Sequence, residues 1–272
     1  MAIGVFDSGL GGLSVLMALR ARLPRQAFVF LGDNANAPYG TRAPEEIHAL
    51  TRAGVARLFE AGCQLVILAC NTASAVALRA LQEDWLPRQL GERRVLGVFV
   101  PTIEALTGRP WAYAGPPLPG AVSRVALFAT PATVESHAFP RELRLRAEGV
   151  SVTEQPCPDL VDTLEAGDWT RAEALVARYC AALLAREPAP EAAVLGCTHY
   201  PLAREAFRAA LPRGTLLHCQ PATTAESLDA YLTRHPRFRS EGGLRCLTTG
   251  HPATVATHAK ALTGLDSAFV PA

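Results

Sequence analysis

Short apolar runs alternate with segments of helical periodicity along almost the whole chain, and this alternation limits the fold more than any other feature of the sequence. Several runs are apolar at every position, which is typical of strands buried on both faces of a parallel sheet. Strands that alternate with helices favour right-handed βαβ crossovers, so the sequence predicts an α/β fold with mostly parallel sheets. The predicted strands span 3–7, 27–32, 64–69, 95–99, 124–129, 150–154, 192–196, 215–219 and 244–248.

The segment 44–61 gives the clearest helical pattern. Pro44 stands where the first turn of a helix tolerates proline, and small or apolar residues follow it at helical spacing. Gly62 stands at the position where a glycine often ends a helix. The sequence therefore predicts a helix between the second and third strands.

Two halves of the chain begin in a similar way, separated by a proline- and glycine-rich segment at 108–120 that has the composition of an exposed loop or linker. The strand pattern before Asp7 is similar to the one before Thr130. Each is followed, at a similar distance, by a strand that ends on a cysteine, Cys70 in the first half and Cys197 in the second. The sequence predicts two similar, pseudo-symmetric α/β units, with ligands bound beyond the carboxyl ends of their strands, in the cleft between the units.

The composition argues against several classes of function. A net charge of +1 over 272 residues gives no basic surface for nucleic acid or an anionic membrane, and no apolar stretch is long enough to span a bilayer. The N-terminus lacks an export-signal pattern, so we expect a cytoplasmic protein without nucleic-acid or membrane partners. The single lysine, Lys260, lies in a helical stretch near the C-terminus, which argues against a pyridoxal phosphate enzyme and a P-loop nucleotide site.

The seven cysteines are not spaced as zinc or iron–sulfur ligands are. We therefore expect free thiols, no bound metal and no cofactor. For most of these cysteines the ordinary explanation is adequate, because a free cysteine packs as a small buried hydrophobe.

Cys70 and Cys197 differ from the other cysteines in their position. Each ends a strand, in ACNTAS and GCTHYP, just before a predicted helix N-terminus, where the pKa of a thiol can be lowered toward neutrality. For either motif alone a buried structural cysteine followed by a helix cap is the more common explanation. Both motifs at similar places in both halves favour a functional pair of thiols.

Polar residues follow both cysteines at once. Asn71, Thr72 and Thr198 are suited either to cap the following helix or to donate hydrogen bonds to a bound carboxylate. His199, two residues after Cys197, is placed to polarise that thiol or a substrate group.

Three further motifs are less specific. DSGLGG, which begins at Asp7, is either an anion-binding turn before a helix or a tight turn without a ligand; Ser14 replaces the third glycine of the dinucleotide fingerprint. GDNANAPYG at 32–40 is a loop that turn chemistry explains. In CPDLVDTLEAGD, most carboxylates are typical of a solvated helix face, and Glu165 is a candidate partner for an imidazole.

A pair of thiols on opposite walls of a cleft suits inversion of a carbon that bears an acidic hydrogen. One group removes the proton from one face while the other delivers a proton to the opposite face, and the reverse reaction exchanges the roles. Without pyridoxal phosphate the developing negative charge needs preorganised N–H and hydroxyl donors in a dry cleft. The hydroxyl and amide side chains beside both cysteines meet that need.

Six segments, taken in order, closely resemble the glutamate racemase family: FDSGLGGLSV, GDNANAPYG, ILACNTAS, VPTIEA, CPDLVDTLE and LGCTHYP. The resemblance implies a cofactor-independent enzyme that interconverts L- and D-glutamate and supplies D-glutamate for peptidoglycan. It also implies two similar α/β domains with the active site between them. The chain would cross to the second domain and return, which gives a first domain of 1–98 plus 214–272 and a second of 99–213.

The same resemblance implies roles for individual residues. Cys70 would take the α-proton from D-glutamate and Cys197 the α-proton from L-glutamate. Asp7 would lie near the first thiol, and Glu165 and His199 near the second. The implied substrate-binding residues are Asp7, Ser8, Pro38, Tyr39, Gly40, Asn71, Thr72, Thr130, Thr133, Thr198 and His199.

Some alternatives stay open at the level of the sequence. An aspartate or hydantoin racemase of the same superfamily would use the same pair of thiols on another substrate. A binding role is a second class, since some glutamate racemases also inhibit DNA gyrase, although the near-neutral charge gives no support for DNA contact. The N-terminal extension of members activated by a cell-wall precursor is missing, so we expect no such activation. The sequence does not determine the oligomeric state and is compatible with a homodimer.

Overall fold

The computed structural model of the chain describes residues 1–89, 92–109 and 115–272. Within the predicted loop at 108–120, residues 110–114 lie outside the described residues, and residues 118–119 form a short strand. The strands are β1 (Ile3–Asp7), β2 (Phe28–Gly32), β3 (Leu65–Leu68), β4 (Arg94–Gly97), β5 (Leu118–Pro119), β6 (Arg124–Ala129), β7 (Ala147–Glu148), β8 (Ser151–Pro156), β9 (Ala192–Gly196), β10 (Leu216–Cys219), β11 (Leu244–Thr248) and β12 (Phe269–Pro271).

The α-helices fill the intervals between most of these strands. They are α1 (Leu13–Arg22), α2 (Pro44–Glu60), α3 (Asn71–Val76), α4 (Leu78–Ala80), α5 (Phe99–Thr107), α6 (Pro131–Glu135), α7 (Ala138–Arg144), α8 (Leu160–Glu165), α9 (Trp169–Leu184), α10 (Arg204–Ala210), α11 (Gln220–Arg234) and α12 (Pro252–Thr263). Within the described ranges, no helix is long and apolar enough to cross a membrane.

Two parallel sheets organise the fold. The larger has the order β12-β11-β2-β1-β3-β4, and the smaller has the order β10-β9-β6-β8; β5 and β7 form a separate short pair. The order β2-β1-β3-β4 in the first sheet corresponds to β8-β6-β9-β10 in the second, strand for strand along the chain. The predicted α/β class and the predicted similarity of the two halves are therefore confirmed.

The central strands of each sheet are buried on both faces, which explains their continuous apolar runs in the sequence. In β1, Val5 packs with the cluster formed by α1, α11 and α12, and its neighbour Phe6 packs with the cluster formed by α2 and α3. The same alternation occurs in β6, where Leu127 faces α5 and α7 and Phe128 faces α8, α9 and α10. Side chains on successive positions point to opposite faces, so a strand between two helical layers must be apolar at every residue.

All nine strands predicted from the sequence are present, with ends displaced by at most two residues. The predicted helix at 44–61 is also confirmed as α2, and Gly62 after it has a positive φ of 90°. The sequence did not predict β5, β7 or β12, which are two or three residues long.

The chain passes between the sheets at two places. It leaves the larger sheet after β4, and α5 packs on the smaller sheet. β10 pairs with β9 in the smaller sheet, whereas the domain boundary expected from the family resemblance lies between 213 and 214. The two crossings are joined by a buried hydrogen bond in which Gln220 Nε2 donates to Thr102 Oγ1 over 3.1 Å. We propose a first unit of 1–98 with 220–272 and a second unit of 99–219.

Candidate active site

The carboxyl ends of β1, β3, β6 and β9 meet around one small cavity between the two units. Its volume is about 20 Å³, which is room for about one water molecule. Both Cys70, from the first unit, and Cys197, from the second, line it. The full lining is Ser8, Gly9, Ala37, Pro38, Tyr39, Gly40, Cys70, Asn71, Thr72, Thr130, Val161, Glu165, Cys197, Thr198 and His199.

Cys70 occupies the N-cap position of α3. Its sulfur accepts a hydrogen bond from the backbone N–H of Ala73 and donates one to Ser8 Oγ, each over 3.4 Å. Burial, followed by the negative charge of Asp7, raises the pKa of the Cys70 thiol to about 12, although the bonds to Ser8 and Ala73 oppose this shift. The lowered pKa predicted from the strand-end position is therefore wrong for Cys70, because the thiol is 4% exposed.

The second thiol, Cys197, is connected through His199 to Glu165. His199 Nδ1 lies 4.0 Å from Cys197 Sγ, and His199 Nε2 lies 2.8 Å from Glu165 Oε1. Burial lowers the pKa of His199, but the hydrogen bonds to Cys197 and Glu165 outweigh it and raise the pKa to about 10. Burial likewise acts to raise the pKa of Glu165, and the bond from His199 outweighs it and lowers that pKa. The imidazole is therefore a cation near neutral pH, and it is held between a carboxylate and a thiol.

Asp7 lies behind the lining and connects the two walls. Its Oδ2 accepts a hydrogen bond from the N–H of Gly9 over 3.0 Å, and Thr198 Oγ1, from the other unit, lies 3.5 Å from its Oδ1. Burial raises the pKa of Asp7, while His199 and the N–H groups of Gly9 and Gly12 act to lower it. Asp7 is thus a fully buried carboxyl close to both halves of the site.

The glycine turn after Asp7 serves a close approach between the two units. A Cβ on Gly11 would lie 2.4 Å from Thr198 Oγ1 and 2.6 Å from the His199 ring. A Cβ on Gly12 would lie 2.5 Å from the Cβ of Asp7. At the start of α1, the N–H groups of Leu13 and Ser14 are already bonded to backbone carbonyls. Packing against the opposite wall at Gly11, and against Asp7 at Gly12, therefore explains these glycines without a ligand on the turn.

Three threonine hydroxyls form a row that connects the two units across the cleft. Thr72 Oγ1 and Thr130 Oγ1 lie 2.9 Å apart, and Thr130 Oγ1 lies 2.9 Å from Thr133 Oγ1. The backbone N–H of Ala132 also donates to the carbonyl of Gly40 over 3.0 Å, again between the units. Thr133 is fully buried behind Thr130 and does not line the cavity, so it supports Thr130 from behind.

Asn71 is the unsatisfied polar residue of the cavity. It is 2% exposed, and within the described part of the chain neither its Oδ1 nor its Nδ2 has a hydrogen-bond partner. The helix-capping alternative is wrong for Asn71, because the cap of α3 is the Cys70 sulfur. Thr198 also caps no helix, since the 3₁₀ turn after it begins at Tyr200. A buried amide without partners is costly, so Asn71 is poised to bind a polar ligand in the cavity.

The comparison with known protein families agrees with this geometry. The family model for Asp/Glu/Hydantoin racemase matches residues 13–225. The chain belongs to this racemase family. Similar members include the glutamate racemase of Paracoccus denitrificans, which is 58% identical over 256 residues that cover 94% of each chain.

Solved structures of family members superpose on nearly the whole chain. The glutamate racemase isoform RacE1 of Bacillus anthracis has a TM-score of 0.87 at 25% identity, covering 100% of this chain and 97% of its own. The Thermus thermophilus glutamate racemase in complex with beta-chloro-D-alanine has a TM-score of 0.81 at 34% identity, covering 100% of this chain and 96% of its own. The family resemblance inferred from the six sequence motifs is confirmed.

The structure brings most of the expected family positions together at the cavity. Asp7 and Thr133 lie just behind the lining, and the other expected residues contribute to it. The sequence did not predict the small and apolar lining residues Ala37 and Val161, which carry no chemical signature. It also did not predict Asp33, whose carboxylate accepts a hydrogen bond from the hydroxyl of Tyr39. Asp33 follows β2 directly, so it carries the same strand-end signal as Asp7. Among the described residues, no cluster of His, Cys, Asp and Glu is suited to hold a metal ion.

Proposed function

We propose that this protein interconverts L- and D-glutamate without a cofactor, with Cys70 and Cys197 as the two acid/base groups. One observation carries the proposal: two thiols, each from a different unit and each at the end of a corresponding strand, line the same cavity. A single thiol beside a histidine would suit a hydrolase or a transferase equally well. Two thiols in one cavity suit proton transfer at two faces of one carbon.

The reaction is balanced in protons. The thiolate of one cysteine removes the α-proton of glutamate and becomes a thiol. The thiol of the other cysteine gives its proton to the opposite face and becomes a thiolate, and the reverse reaction uses the same groups with exchanged roles. By family resemblance, Cys197 acts first on L-glutamate and Cys70 acts first on D-glutamate.

The walls supply the electrostatic support for each step. The imidazolium of His199, held by Glu165, stabilises negative charge that develops on the neighbouring Cys197 sulfur. Asp7, with a pKa raised by burial, is suited to exchange a proton on the Cys70 side of the cavity. The amide of Asn71 and the hydroxyls beside it would bind the substrate carboxylates and the developing enolate.

Glutamate is the favoured substrate because the close relatives are named glutamate racemases over nearly their full length. An aspartate or hydantoin racemase remains the alternative within the same family. Initial rates with L-glutamate, L-aspartate and a 5-substituted hydantoin, each measured in the presence of a metal chelator, separate these candidates. We further propose a cytoplasmic enzyme that supplies D-glutamate for peptidoglycan.

Deuterium labelling tests the mechanism itself. In deuterated water, L-glutamate should give D-glutamate that carries deuterium at the α-carbon, while unreacted L-glutamate keeps its hydrogen early in the reaction. Cys70→Ser and Cys197→Ser should each lower the rate of racemisation by at least about 10²–10⁴-fold. Cys180→Ser, at a buried thiol away from the cavity, is the matched control and should keep the rate. Near-normal racemisation by either cavity variant would contradict the two-thiol mechanism.

A further inference from the structure

We infer that Asp33 is a positioning residue, which holds Tyr39 and the adjoining Gly40 in the place where they line the substrate cavity. This inference rests on the proposed function, because it assigns a role in binding the substrate of that reaction. Asp33 does not line the cavity itself, so any effect on the substrate must pass through residues that do.

The carboxylate of Asp33 receives hydrogen bonds from three directions. The hydroxyl of Tyr39 donates to Oδ2 over 2.5 Å, and the hydroxyl of Thr249 donates to Oδ1 over 2.7 Å. The side-chain amide of Asn36 lies 3.0 Å from Oδ1 and 3.2 Å from Oδ2. The backbone N–H of Asp33 donates to the carbonyl of Asp7 over 2.9 Å, which attaches this network to the strand end that carries a site residue.

The network holds its carboxylate by hydrogen bonds alone. Asp33 is 3% exposed, and among the described residues no Arg, Lys or His forms an ion pair with it. A buried carboxylate without a cation is costly unless neighbouring donors are arranged around it. Two of the three side-chain donors, Asn36 and Tyr39, lie in the loop after β2, so their bonds to Asp33 fix the geometry of that loop.

Tyr39 connects the hydrogen-bond network of Asp33 to the cavity, because it bonds to Asp33 and lines the cavity. Its hydroxyl is engaged by Asp33, and its ring is 1% exposed and lies 6.3 Å from the ring of Phe6. The next residue, Gly40, has no room for a Cβ, which would lie 2.8 Å from Thr130. The carbonyl of Gly40 accepts the hydrogen bond from Ala132 across the cleft. A displaced Tyr39 would therefore move both the lining of the cavity and a contact between the units.

The test compares Asp33→Asn, Tyr39→Phe and the double variant. The amide introduced by Asp33→Asn would turn a donor toward Tyr39 or Thr249, and Tyr39→Phe removes the hydroxyl that donates to Asp33. Each single change should raise KM for glutamate about tenfold, as expected for loss of a hydrogen bond to a charged group. The value of kcat should change by less than about threefold, because neither cysteine is touched. The double variant should be no worse than either single one, since both changes remove the same contact.

Thr249→Val is the matched control. Thr249 donates to the same carboxylate, but at Oδ1, and it does not line the cavity. This change should lower the melting temperature as Asp33→Asn does and leave KM unchanged. A KM that follows the melting temperature across all these variants would show a merely structural role and would overturn the inference.

The outcomes separate this inference from the proposed function. Racemisation by the unaltered protein, with KM unchanged in Asp33→Asn and Tyr39→Phe, would overturn the role of Asp33 alone. Additive increases of KM in the double variant would also overturn it, since the two side chains would then act independently. No racemisation by the unaltered protein would overturn the proposed function and the inference that depends on it.

Discussion

At the residue scale, the two thiols that line one cavity have opposite electrostatic surroundings. Cys70 lies near a carboxyl group and a hydroxyl, and its pKa is raised by burial and by Asp7 to about 12. Cys197 lies beside an imidazolium that Glu165 holds in its charged form. The first wall therefore favours the neutral form of the Cys70 thiol, and the second places a positive charge beside the Cys197 sulfur.

The charge of His199 predicts how stability depends on pH. The folded protein holds the proton up to a pKa of about 10, against an ordinary value of 6.5. Its contribution to stability is fully present below pH about 6.5 and is lost as the pH rises through about 10. We expect the stability difference between the unaltered protein and His199→Asn, measured by urea unfolding, to shrink over that interval.

Removal of the carboxylate partner provides the control for this pH dependence. Glu165→Gln takes away one of the groups that raise the pKa of His199, so it should weaken the same pH dependence without removing the imidazole. A stability difference between the unaltered protein and His199→Asn that is constant from pH 6.5 to pH 10 would contradict a charged His199 in the folded state.

The buried amide of Asn71 should lower the stability of the protein and strengthen the binding of its substrate. Its amide is buried without a partner among the described residues, and such a group costs about 1–3 kcal/mol. Asn71→Ala should leave the free energy of unfolding unchanged or higher, while KM for glutamate rises about ten- to hundredfold. Thr224→Val is the matched control, since the Thr224 hydroxyl is also buried without a partner in the described part of the chain but lies away from the cavity. Equal KM values in Asn71→Ala and the unaltered protein would show that Asn71 does not bind the substrate.

At the scale of elements, the sequence predicts the strands that are apolar at every position. It misses very short strands and does not show which sheet a strand joins. Strands such as β1 and β9 are apolar at every position because both faces are buried, and this pattern is visible in the sequence. β12 is three residues long and ends on Pro271, so no pattern distinguishes it from a loop. β10 was predicted as a strand, but which sheet it joins depends on its pairing with β9, and pairing between distant segments leaves no local signal.

The glycine turn between β1 and α1 gives a prediction at this scale. Gly11→Ala would bring a Cβ within 2.4 Å of Thr198 Oγ1 and 2.6 Å of the His199 ring. These side chains belong to the opposite wall, so the turn or the wall must shift, and kcat/KM should fall at least about tenfold. Gly214→Ala is the control, because a Cβ there would meet no atom of the described residues within 4 Å. Unchanged kcat/KM in Gly11→Ala would show that the two walls do not need this close approach.

At the scale of the whole molecule, the sequence predicts the two units and the polar residues at their strand ends. It does not predict how completely these residues are buried. The sequence places Asp7, Cys70, Thr130 and Cys197 at the ends of corresponding strands, and all four lie at or directly behind one cavity. The raised pKa of Cys70 could not be foreseen, because burial depends on how closely the second unit covers the first. The bond from Gln220 to Thr102, which joins the two crossings of the chain, also depends on that assembly.

The small size of the cavity predicts that the cleft opens to admit its substrate. A volume of about 20 Å³ holds about one water molecule, so an amino acid enters only after the units separate. Opening must break the bond from the Ala132 amide to the Gly40 carbonyl and the contact between Thr72 and Thr130. Bound D-glutamate would hold the units together and slow exchange of the Ala132 amide with deuterated water. The slowing should be about hundredfold at a concentration about 100 times Kd.

The amide of Val194, in the middle of β9, is the internal reference for this exchange measurement. It lies within the smaller sheet, so opening of the cleft does not expose it. In Asn71→Ala, the same concentration of D-glutamate should protect Ala132 much less, because the ligand then binds more weakly. If saturating D-glutamate leaves the exchange of Ala132 unchanged while racemisation is normal, the substrate must enter without separation of the units. The contacts across the cleft would then be permanent, and the cavity would have to enlarge by local movement of its lining alone.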